Sequence, residues 1–179
     1  MPLFGITGGI GSGKSYFARK RAQEGFPVYN SDLAAKRLAE EDPEVRRQIR
    51  DLLGDGAYAE GHYQTTYVAA KVFDPENGPA LLKALNAILH PAVKADLLRW
   101  KEEHRHAEKL YVESALLFES GLNELCDQVI CVTAPVDVRI ARVMERDGVS
   151  EQAVRARMAT QMDEAERQRR SDIIYTNGI

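Results

Sequence analysis

The sequence predicts an α/β fold in which helices lie on both faces of a parallel sheet, and two observations support this prediction. Short apolar runs alternate with segments of helical spacing along most of the chain. The runs "KLYVESALLF" and "DQVICVTA" are apolar almost throughout instead of alternating between apolar and polar residues. Such continuity is typical of strands that are buried on both faces, as the strands of parallel sheets are.

The elements of the first half follow from apolar spacing and from the positions of glycine. The run "PLFGIT" predicts a strand, and after a glycine-rich turn "KSYFARKRAQEG" predicts a helix that ends at Gly25. Next, "FPVYN" predicts a second strand and "DLAAKRLAE" a second helix. A third helix, "EVRRQIRDLLG", ends at Gly54, and residues 55–78 are predicted to form turns with one short helix at "TYVAAKVF".

A long helical segment opens the second half, and Pro91 is predicted to break or kink it because proline lacks a backbone donor. The two apolar runs then predict strands. The segment "VDVRIARVMERDG" predicts a helix that ends at Gly148, and Ser150 is predicted to cap one further long helix, "EQAVRARMATQMDEAERQRR". A last short strand is predicted at "DIIYTNG". The helical middle of the chain, residues 61–101, is therefore expected to be an insert on the sheet core.

Composition narrows the class of protein. The 179 residues suffice for one well-buried domain with a small insert, and the net charge of -3 argues against a protein that coats nucleic acid. Cys126 and Cys131 lack the spacing of a metal or redox pair, so buried thiols in a reducing compartment are expected. With no signal segment and no long apolar span in the sequence, a cytoplasmic protein without a membrane partner is expected.

The segment "GGIGSGKS" carries the strongest chemical signal. It matches the phosphate-loop pattern G-x-x-x-x-G-K-[ST] between a predicted strand and a predicted helix, which is where the pattern must lie. Glycines allow backbone N–H groups to turn toward phosphate oxygens, and the helix N-terminus adds partial positive charge. The lysine reaches the outer phosphates and the serine hydroxyl can ligate Mg²⁺. The predicted nucleotide contacts are Gly8, Gly9, Ile10, Gly11, Ser12, Gly13, Lys14, Ser15 and Tyr16.

Asp32 follows the second predicted strand and allows two interpretations. Strand ends on the phosphate-loop side of a parallel sheet converge near the ligand, so a carboxylate there can accept the proton of an acceptor hydroxyl. Aspartate is also a good helix N-cap and can serve that purpose alone. The residue by itself does not decide between the two.

A group of arginines favours the enzymatic interpretation. Five of them lie on two predicted helices that flank a glycine hinge, so they can form a lid that closes over phosphates. The alternative is a solvated helix face paired with Glu145 and Asp147. The five are Arg139, Arg142, Arg146, Arg155 and Arg157.

Several segments in fixed order make the sequence similar to one family. They are "GITGGIGSGKS", "NSD", "LNAILHP", "ESALLFESGL", "RIARVMERDGVS", "RMATQ" and "SDIIYTNG". Together they resemble the dephospho-coenzyme A kinases, relatives of the nucleoside monophosphate kinases, over nearly the whole chain. The resemblance implies a P-loop kinase core with a helical substrate-binding insert and a helical lid. It also implies ATP-dependent phosphorylation of the 3′-hydroxyl of dephospho-coenzyme A, with Mg²⁺.

The resemblance also implies roles for individual residues. Asp32 would be the base, with Lys14 and Arg142 as further catalytic groups. Arg142 and Arg146 would contact ATP phosphates, and Asn177 and Gly178 would lie near its adenine. The expected contacts to the acceptor are Asp32, Lys36, His90, Pro91, Arg157 and Gln161.

The chain departs from the family pattern at the strand end and on the helix that follows. Asn30 stands where the family commonly has a first aspartate, and because an amide cannot act as a base, that role falls to Asp32 or is shared with water. Lys36 stands where an arginine is usual, with Arg37 beside it, and lysine is a point charge without the bidentate fork of arginine.

Two further departures lie later in the chain. Glu113 precedes "SALLFE" where the family often has aspartate, and it is expected to orient a water on Mg²⁺, with Ser15 as the direct ligand. The segment "HYQTTY" lacks an arginine that often follows the turn at Gly61. The sequence also ends sooner than relatives whose last helix continues.

These expectations give a division into domains and two alternative functions. The predicted nucleotide-binding core comprises residues 1–60, 108–140 and 170–179, the substrate domain residues 61–107, and the lid residues 141–169. The expected partner is dephospho-coenzyme A, with no nucleic acid, and the protein is expected to be a monomer or weak homo-oligomer. The alternatives are a P-loop kinase of a nucleotide or other small metabolite, and a nucleotide-switched binding module.

Overall fold

The computed structural model describes residues 1–178, which form an α/β fold with seven strands and eight α-helices. In chain order these are β1 Leu3–Thr7, α1 Lys14–Gln23, β2 Val28–Asn30, α2 Ser31–Glu41, α3 Pro43–Leu53, β3 Tyr58–Ala59, β4 His62–Tyr63, α4 Thr65–Val72, α5 Gly78–Glu103, β5 Leu110–Glu113, β6 Gln128–Thr133, α6 Val136–Asp147, α7 Glu151–Ala159, α8 Glu164–Arg169 and β7 Ile173–Thr176.

Five of the strands form one parallel sheet in the order β2-β5-β1-β6-β7. The alternation of strands and helices therefore predicted the fold class correctly. In this order β1 is central, so the loop that follows it starts at the middle of the sheet. In the register of β2 and β5, Asn30 pairs with Glu113, which brings the last residues of these two strands side by side.

The first helix is held against the sheet by an apolar cluster. Ile6, Tyr111 and Val132 come from three neighbouring strands, and Phe17 and Ala18 come from α1. Ile6 and Val132 are fully buried, which explains why these strand sequences are apolar without alternation. Packing of this kind fixes where α1 begins relative to the end of β1, and that junction is the phosphate loop.

The chain divides into two compact units, one of residues 1–30 with the segment from His104 onward, and one of residues 31–103. The sheet lies in the first unit. The second contains α2 to α5 around its own core, in which Val45, Ile49 and Leu85 are buried. The domain boundaries expected from the sequence stay a prediction.

The second unit also contains a hairpin where the sequence indicated only turns. β3 and β4 are antiparallel, and Ala59 pairs with His62. The two residues between them, Glu60 and Gly61, both have positive φ, as a tight hairpin turn of the type I′ kind requires. Strands of two residues are too short to show a periodicity, which is why apolar spacing did not reveal them.

The sequence predicted a break or a kink at Pro91; the break is wrong, because α5 continues through this residue, and the kink stays a prediction. A proline inside a helix removes one N–H bond and crowds the carbonyl four residues earlier, but the turns on either side are held by burial of Leu85, Val93 and Leu97. Tertiary packing therefore outweighs the local cost of the proline.

Two other boundaries differ from the sequence-based expectations. β5 ends at Glu113, and the apolar residues Leu117 and Phe118 that prolong the run are buried in turns. The single helix expected after Ser150 is divided into α7 and α8, because the carboxylate of Asp163 accepts a hydrogen bond from the N–H of Glu166 and caps a new helix.

Both cysteines are present as thiols, with Cys131 buried in β6 and Cys126 half-buried. Burial raises the pKa of the Cys131 thiol to about 11, so very little of it is thiolate at pH 8. We expect a thiol reagent at pH 8 to modify Cys126 first and Cys131 only after denaturation, as followed by intact-mass spectrometry. Equal modification rates in the native protein would contradict the burial of Cys131.

No helix among residues 1–178 combines the length and the apolarity needed to cross a membrane.

Candidate active site

The phosphate loop leaves β1 at Gly8 and enters α1 at Lys14. The N–H of Ser12 donates to the carbonyl of Gly9 at 3.1 Å, and the N–H of Phe17 donates to the carbonyl of Gly13 at 3.0 Å. Gly11 and Gly13 have φ of 78° and 90°, which side chains rarely adopt. The loop is therefore a tight turn that continues directly into the N-terminus of a helix.

Glycine is also required because the loop is closely surrounded. A Cβ on Gly8 would lie 2.3 Å from the carbonyl oxygen of Val132 in β6. A Cβ on Gly11 would lie 2.4 Å from the carbonyl oxygen of Arg139 in α6. These contacts are to backbone atoms, which cannot move aside as a flexible side chain can.

Gly11→Ala is expected to damage the loop, and Gly25→Ala provides a matched control. Both glycines have positive φ, 78° and 91°, so both variants carry the strain of a left-handed alanine, about 1–2 kcal/mol. Only the Cβ added at Gly11 would also clash with backbone atoms, since nothing lies within 4 Å of a Cβ on Gly25. We expect Gly11→Ala to lose ATP binding in calorimetry and to melt below Gly25→Ala. Equal behaviour of the two variants would contradict this.

The loop lines a cavity of about 400 Å³. Four cationic side chains contribute to its wall, which suits a polyanionic ligand such as a triphosphate. The lining residues are Gly8, Gly9, Ile10, Gly11, Ser12, Gly13, Lys14, Ser15, Tyr16, Arg19, Ala115, Arg142, Val143, Arg146 and Gln161. The structure thus brings the whole predicted loop together with three of the residues predicted from the lid.

Arg19 was missed by the sequence analysis. It lies on α1, one turn after Ser15 and Tyr16, so helical spacing alone would have put it on the same face of the helix as these two residues.

Glu113 is more closely bound to the loop than the sequence suggested. Its Oε1 accepts a hydrogen bond from the hydroxyl of Ser15 at 2.5 Å and lies 3.5 Å from Nζ of Lys14. Its Oε2 accepts from the amide of Asn30 at 3.0 Å. The carboxylate is almost completely buried, with 4% of the residue exposed, so these donors provide the compensation that a buried charge requires.

The segment after β7 packs against the same loop. The side-chain amide of Asn177 donates to the carbonyl of Ser12 at 3.3 Å, and its backbone N–H donates to the carbonyl of Thr133 at 2.7 Å. Arg142 donates to the carbonyls of Asn177 at 3.2 Å and Gly11 at 3.4 Å. Gly178 follows and is exposed. Arg142 thus connects the loop, α6 and the end of the chain.

The predicted lid arginines have different environments. Arg146 lines the cavity and forms a bidentate pair with Asp147, at 2.7 and 3.0 Å. Arg157 also pairs with Asp147, at 2.9 Å, and Arg155 pairs with Glu151. Hydrogen bonding from Arg146, and then from Arg157, lowers the pKa of Asp147, so this carboxylate stays ionised between the two cations.

Arg139 differs from the other arginines because it is buried, with 5% of the residue exposed. It donates to the carbonyl of Ile10 at 3.0 Å and to Glu164 at 3.2 Å. Gln161 accepts a hydrogen bond from the N–H of the same Ile10 at 2.9 Å. Both polar groups of one loop residue are therefore held by side chains from α6 and from the segment between α7 and α8.

The residues predicted to contact the acceptor include four in the second unit. Asp32 and Lys36 are exposed on α2, and His90 and Pro91 lie within α5. Asp32 is the second residue of α2 and does not precede the helix, so it does not occupy the N-cap position. Arg37, beside Lys36, donates to the buried Asp96 at 2.6 Å.

A magnesium ion is implied by phosphoryl transfer from ATP. Among residues 1–178, no cluster of three or more acidic, histidine or cysteine side chains could hold a metal alone. Ser15 and Glu113 do provide adjacent oxygen atoms beside the phosphate loop. One or two protein oxygens suit Mg²⁺ that is held mainly by waters and substrate phosphates. The residues present therefore fit this ion.

Comparison with known proteins gives one consistent result. A family model described as dephospho-CoA kinase matches residues 2–179. A dephospho-CoA kinase of Porphyromonas gingivalis is 44% identical over 90% of this chain and 78% of its own length. One of Salinibacter ruber is 40% identical over 99% of this chain and 89% of its own length. The solved dephospho-CoA kinase from Campylobacter jejuni has a TM-score of 0.71 at 27% identity, covering 99% of this chain and 88% of that one.

Proposed function

Because this chain belongs to the dephospho-CoA kinase family, we propose that its phosphate-loop cavity binds the triphosphate of ATP and that Asp32 activates the acceptor hydroxyl. The reaction of the family is the ATP-dependent phosphorylation of dephospho-CoA at its 3′-hydroxyl to give CoA, and this enzyme is a kinase of that type. The family match favours this function over a kinase for other metabolites and over a nucleotide-switched binding module.

The observation that carries the proposed binding mode is the set of cations around the glycine loop. Lys14, at the first position of α1, lines the cavity together with Arg142 and Arg146. Backbone N–H groups at the helix N-terminus add donors and partial positive charge. We assign the β- and γ-phosphates to this region, with Asn177 and Gly178 near the adenine.

Ser15 and Glu113 are the residues that would hold Mg²⁺, Ser15 directly and Glu113 through water. When bound, the ion neutralises charge on the phosphates and orients the γ-phosphoryl group. Glu113 contacts Lys14 and Ser15, which are also the groups proposed to contact the phosphates and the metal. Binding of the nucleotide therefore exchanges one set of charge-assisted contacts for another, and no buried charge is left without a partner.

The acceptor side is assigned to the residues that follow β2 and to the middle of α5. Asp32 accepts the proton of the ribose hydroxyl as its oxygen attacks the γ-phosphorus in line with the leaving ADP. Lys36, His90 and Pro91 contact dephospho-CoA, together with Arg157 and Gln161 from the lid. An exposed carboxylate suits this role, because it is accessible to an incoming substrate.

The lid, residues 141–169, is proposed to close over the phosphates. Arg146 and Arg157 are exposed and share Asp147, so their guanidinium groups are close together and available for exchange onto phosphate oxygens. Closure would exclude water and so favour transfer to the acceptor over hydrolysis of ATP.

The function is tested by an acceptor screen with ATP and Mg²⁺. ADP release is measured with dephospho-CoA, with nucleoside monophosphates, with shikimate and with no acceptor. Among these conditions, we expect rapid ADP release only when dephospho-CoA is the acceptor. Mass spectrometry should identify the product as CoA. Faster turnover of another acceptor, or equal ADP release without acceptor, would overturn the assignment.

We propose a cytoplasmic location and a monomeric or weakly associating state. Two cysteines that remain thiols suit a reducing compartment. Light scattering after size exclusion, over a range of protein concentrations, would reveal any stable oligomer.

A further inference from the structure

Asn30 contacts the phosphate loop through one intermediary, the carboxylate of Glu113. Its side-chain amide donates to Oε2 of Glu113 at 3.0 Å across the paired ends of β2 and β5. The other oxygen, Oε1, accepts from the hydroxyl of Ser15 at 2.5 Å and lies 3.5 Å from Nζ of Lys14. Each carboxylate oxygen therefore has its own set of donors, and the two sets come from opposite sides.

The Asn30 amide limits the rotation of this carboxylate. Glutamate has three side-chain torsions, and its terminal torsion is soft, so burial alone does not determine where each oxygen points. With Oε2 held by Asn30, Oε1 faces Lys14 and Ser15. The amide of Asn30 is the donor that fixes Oε2 in this arrangement.

We propose that Asn30 is a positioning residue for this kinase, which acts through Glu113 on the hydroxyl of Ser15 and on the metal that these two residues would hold. The proposal rests on the function assigned above and extends it. Its consequence is specific, because Asn30 should affect how much Mg²⁺ strengthens ATP binding, and it should not affect metal-free ATP binding, which depends on the loop backbone and on Lys14.

The test is calorimetric titration of ATP in excess Mg²⁺ and in a chelator, for the parent and Asn30→Ala. Substitution of residues that hydrogen-bond to metal ligands typically lowers metal affinity or activity by about 10–100-fold. We expect Asn30→Ala to weaken ATP binding roughly tenfold in Mg²⁺ and not in chelator. Asn123→Ala, at a half-buried asparagine of the turn after Gly121, is the matched control and should behave as the parent.

Steady-state kinetics provide a second measurement. We expect Asn30→Ala to lower kcat roughly tenfold and to leave KM for dephospho-CoA unchanged. In a Glu113→Gln background the same change should add little, because the carboxylate that Asn30 orients is already gone.

Three outcomes would overturn the proposal. The first is parental ATP affinity of Asn30→Ala in both titrations. The second is a double variant whose loss of kcat equals the product of the losses of the two single variants. The third is a lowered melting temperature of Asn30→Ala without any change in how much Mg²⁺ strengthens its ATP binding. Failure of the proposed function is seen separately, because the parent itself would then neither bind ATP nor phosphorylate dephospho-CoA.

Discussion

The Asp32→Asn variant is expected to bind ATP with nearly parental affinity and to turn over roughly 10²–10⁴-fold more slowly. Asparagine keeps the shape of the side chain and removes its ability to accept a proton from the acceptor hydroxyl. Loss of general-base catalysis affects the chemical step, so the fall should appear in kcat with dephospho-CoA. Calorimetry with ATP and Mg²⁺ provides the affinity, and initial-rate kinetics provide kcat and KM.

The same variant separates catalysis from a purely structural role. Asp32 lies in the first turn of α2, where a negative charge stabilises the helix by about 0.3–1 kcal/mol. A structural role would therefore lower the melting temperature slightly and leave kcat unchanged, which would contradict the assignment. Asp51→Asn is the control, because Asp51 is also an exposed carboxylate of the second unit, lies on α3 and pairs with its helix neighbour Arg47 at 2.9 Å.

Lys14→Ala is expected to weaken ATP binding and to lower kcat/KM for ATP by roughly 10²–10³-fold. Lys14 is the cation at the start of α1 that is proposed to reach the outer phosphates, where charge changes during transfer. Its removal therefore affects both the ground state and the transition state. Titration with ATP and with ADP should show a larger loss for ATP, because the γ-phosphate is the group that ADP lacks.

The fold should survive this substitution. Glu113 would lose a cation at 3.5 Å and keep the hydroxyl of Ser15 and the amide of Asn30. We expect a melting temperature near that of the parent, and Lys20→Ala, at an exposed lysine of the same helix, should retain activity. Unchanged ATP affinity in Lys14→Ala would contradict the proposed phosphate site.

Some features could be predicted because they depend on neighbours in sequence. The five strands of the parallel sheet, the glycine loop and the helix that starts at Lys14 were all predicted from spacing within about ten residues. Hydrogen bonds of a helix join residues four apart, and a parallel strand buried on both faces must be apolar at every position. The hairpin at β3 and β4 and the division of α7 from α8 were missed, since each depends on one or two turn residues.

Other features depend on residues far apart in sequence. Glu113 seemed a weak candidate in the sequence, yet in the folded chain its carboxylate contacts Lys14 and Ser15, about a hundred residues away. Arg139 seemed one of a row of lid arginines, yet it is buried against Ile10 and Glu164. Helical spacing predicts which residues share a face of a helix. It does not predict which other parts of the protein that face contacts.

The sequence by itself determined the fold class, the phosphate loop and the family, because these follow from local hydrogen bonding, apolar periodicity and a motif with strict backbone requirements. Only the tertiary structure decided which charges are partners, from the Asn30–Glu113–Ser15 contacts to the pairing of Arg146 and Arg157 on Asp147. The physical reason is that side-chain pairing depends on the register of neighbouring strands and the packing of helices, and these bring together residues whose separation along the chain carries no periodic signal.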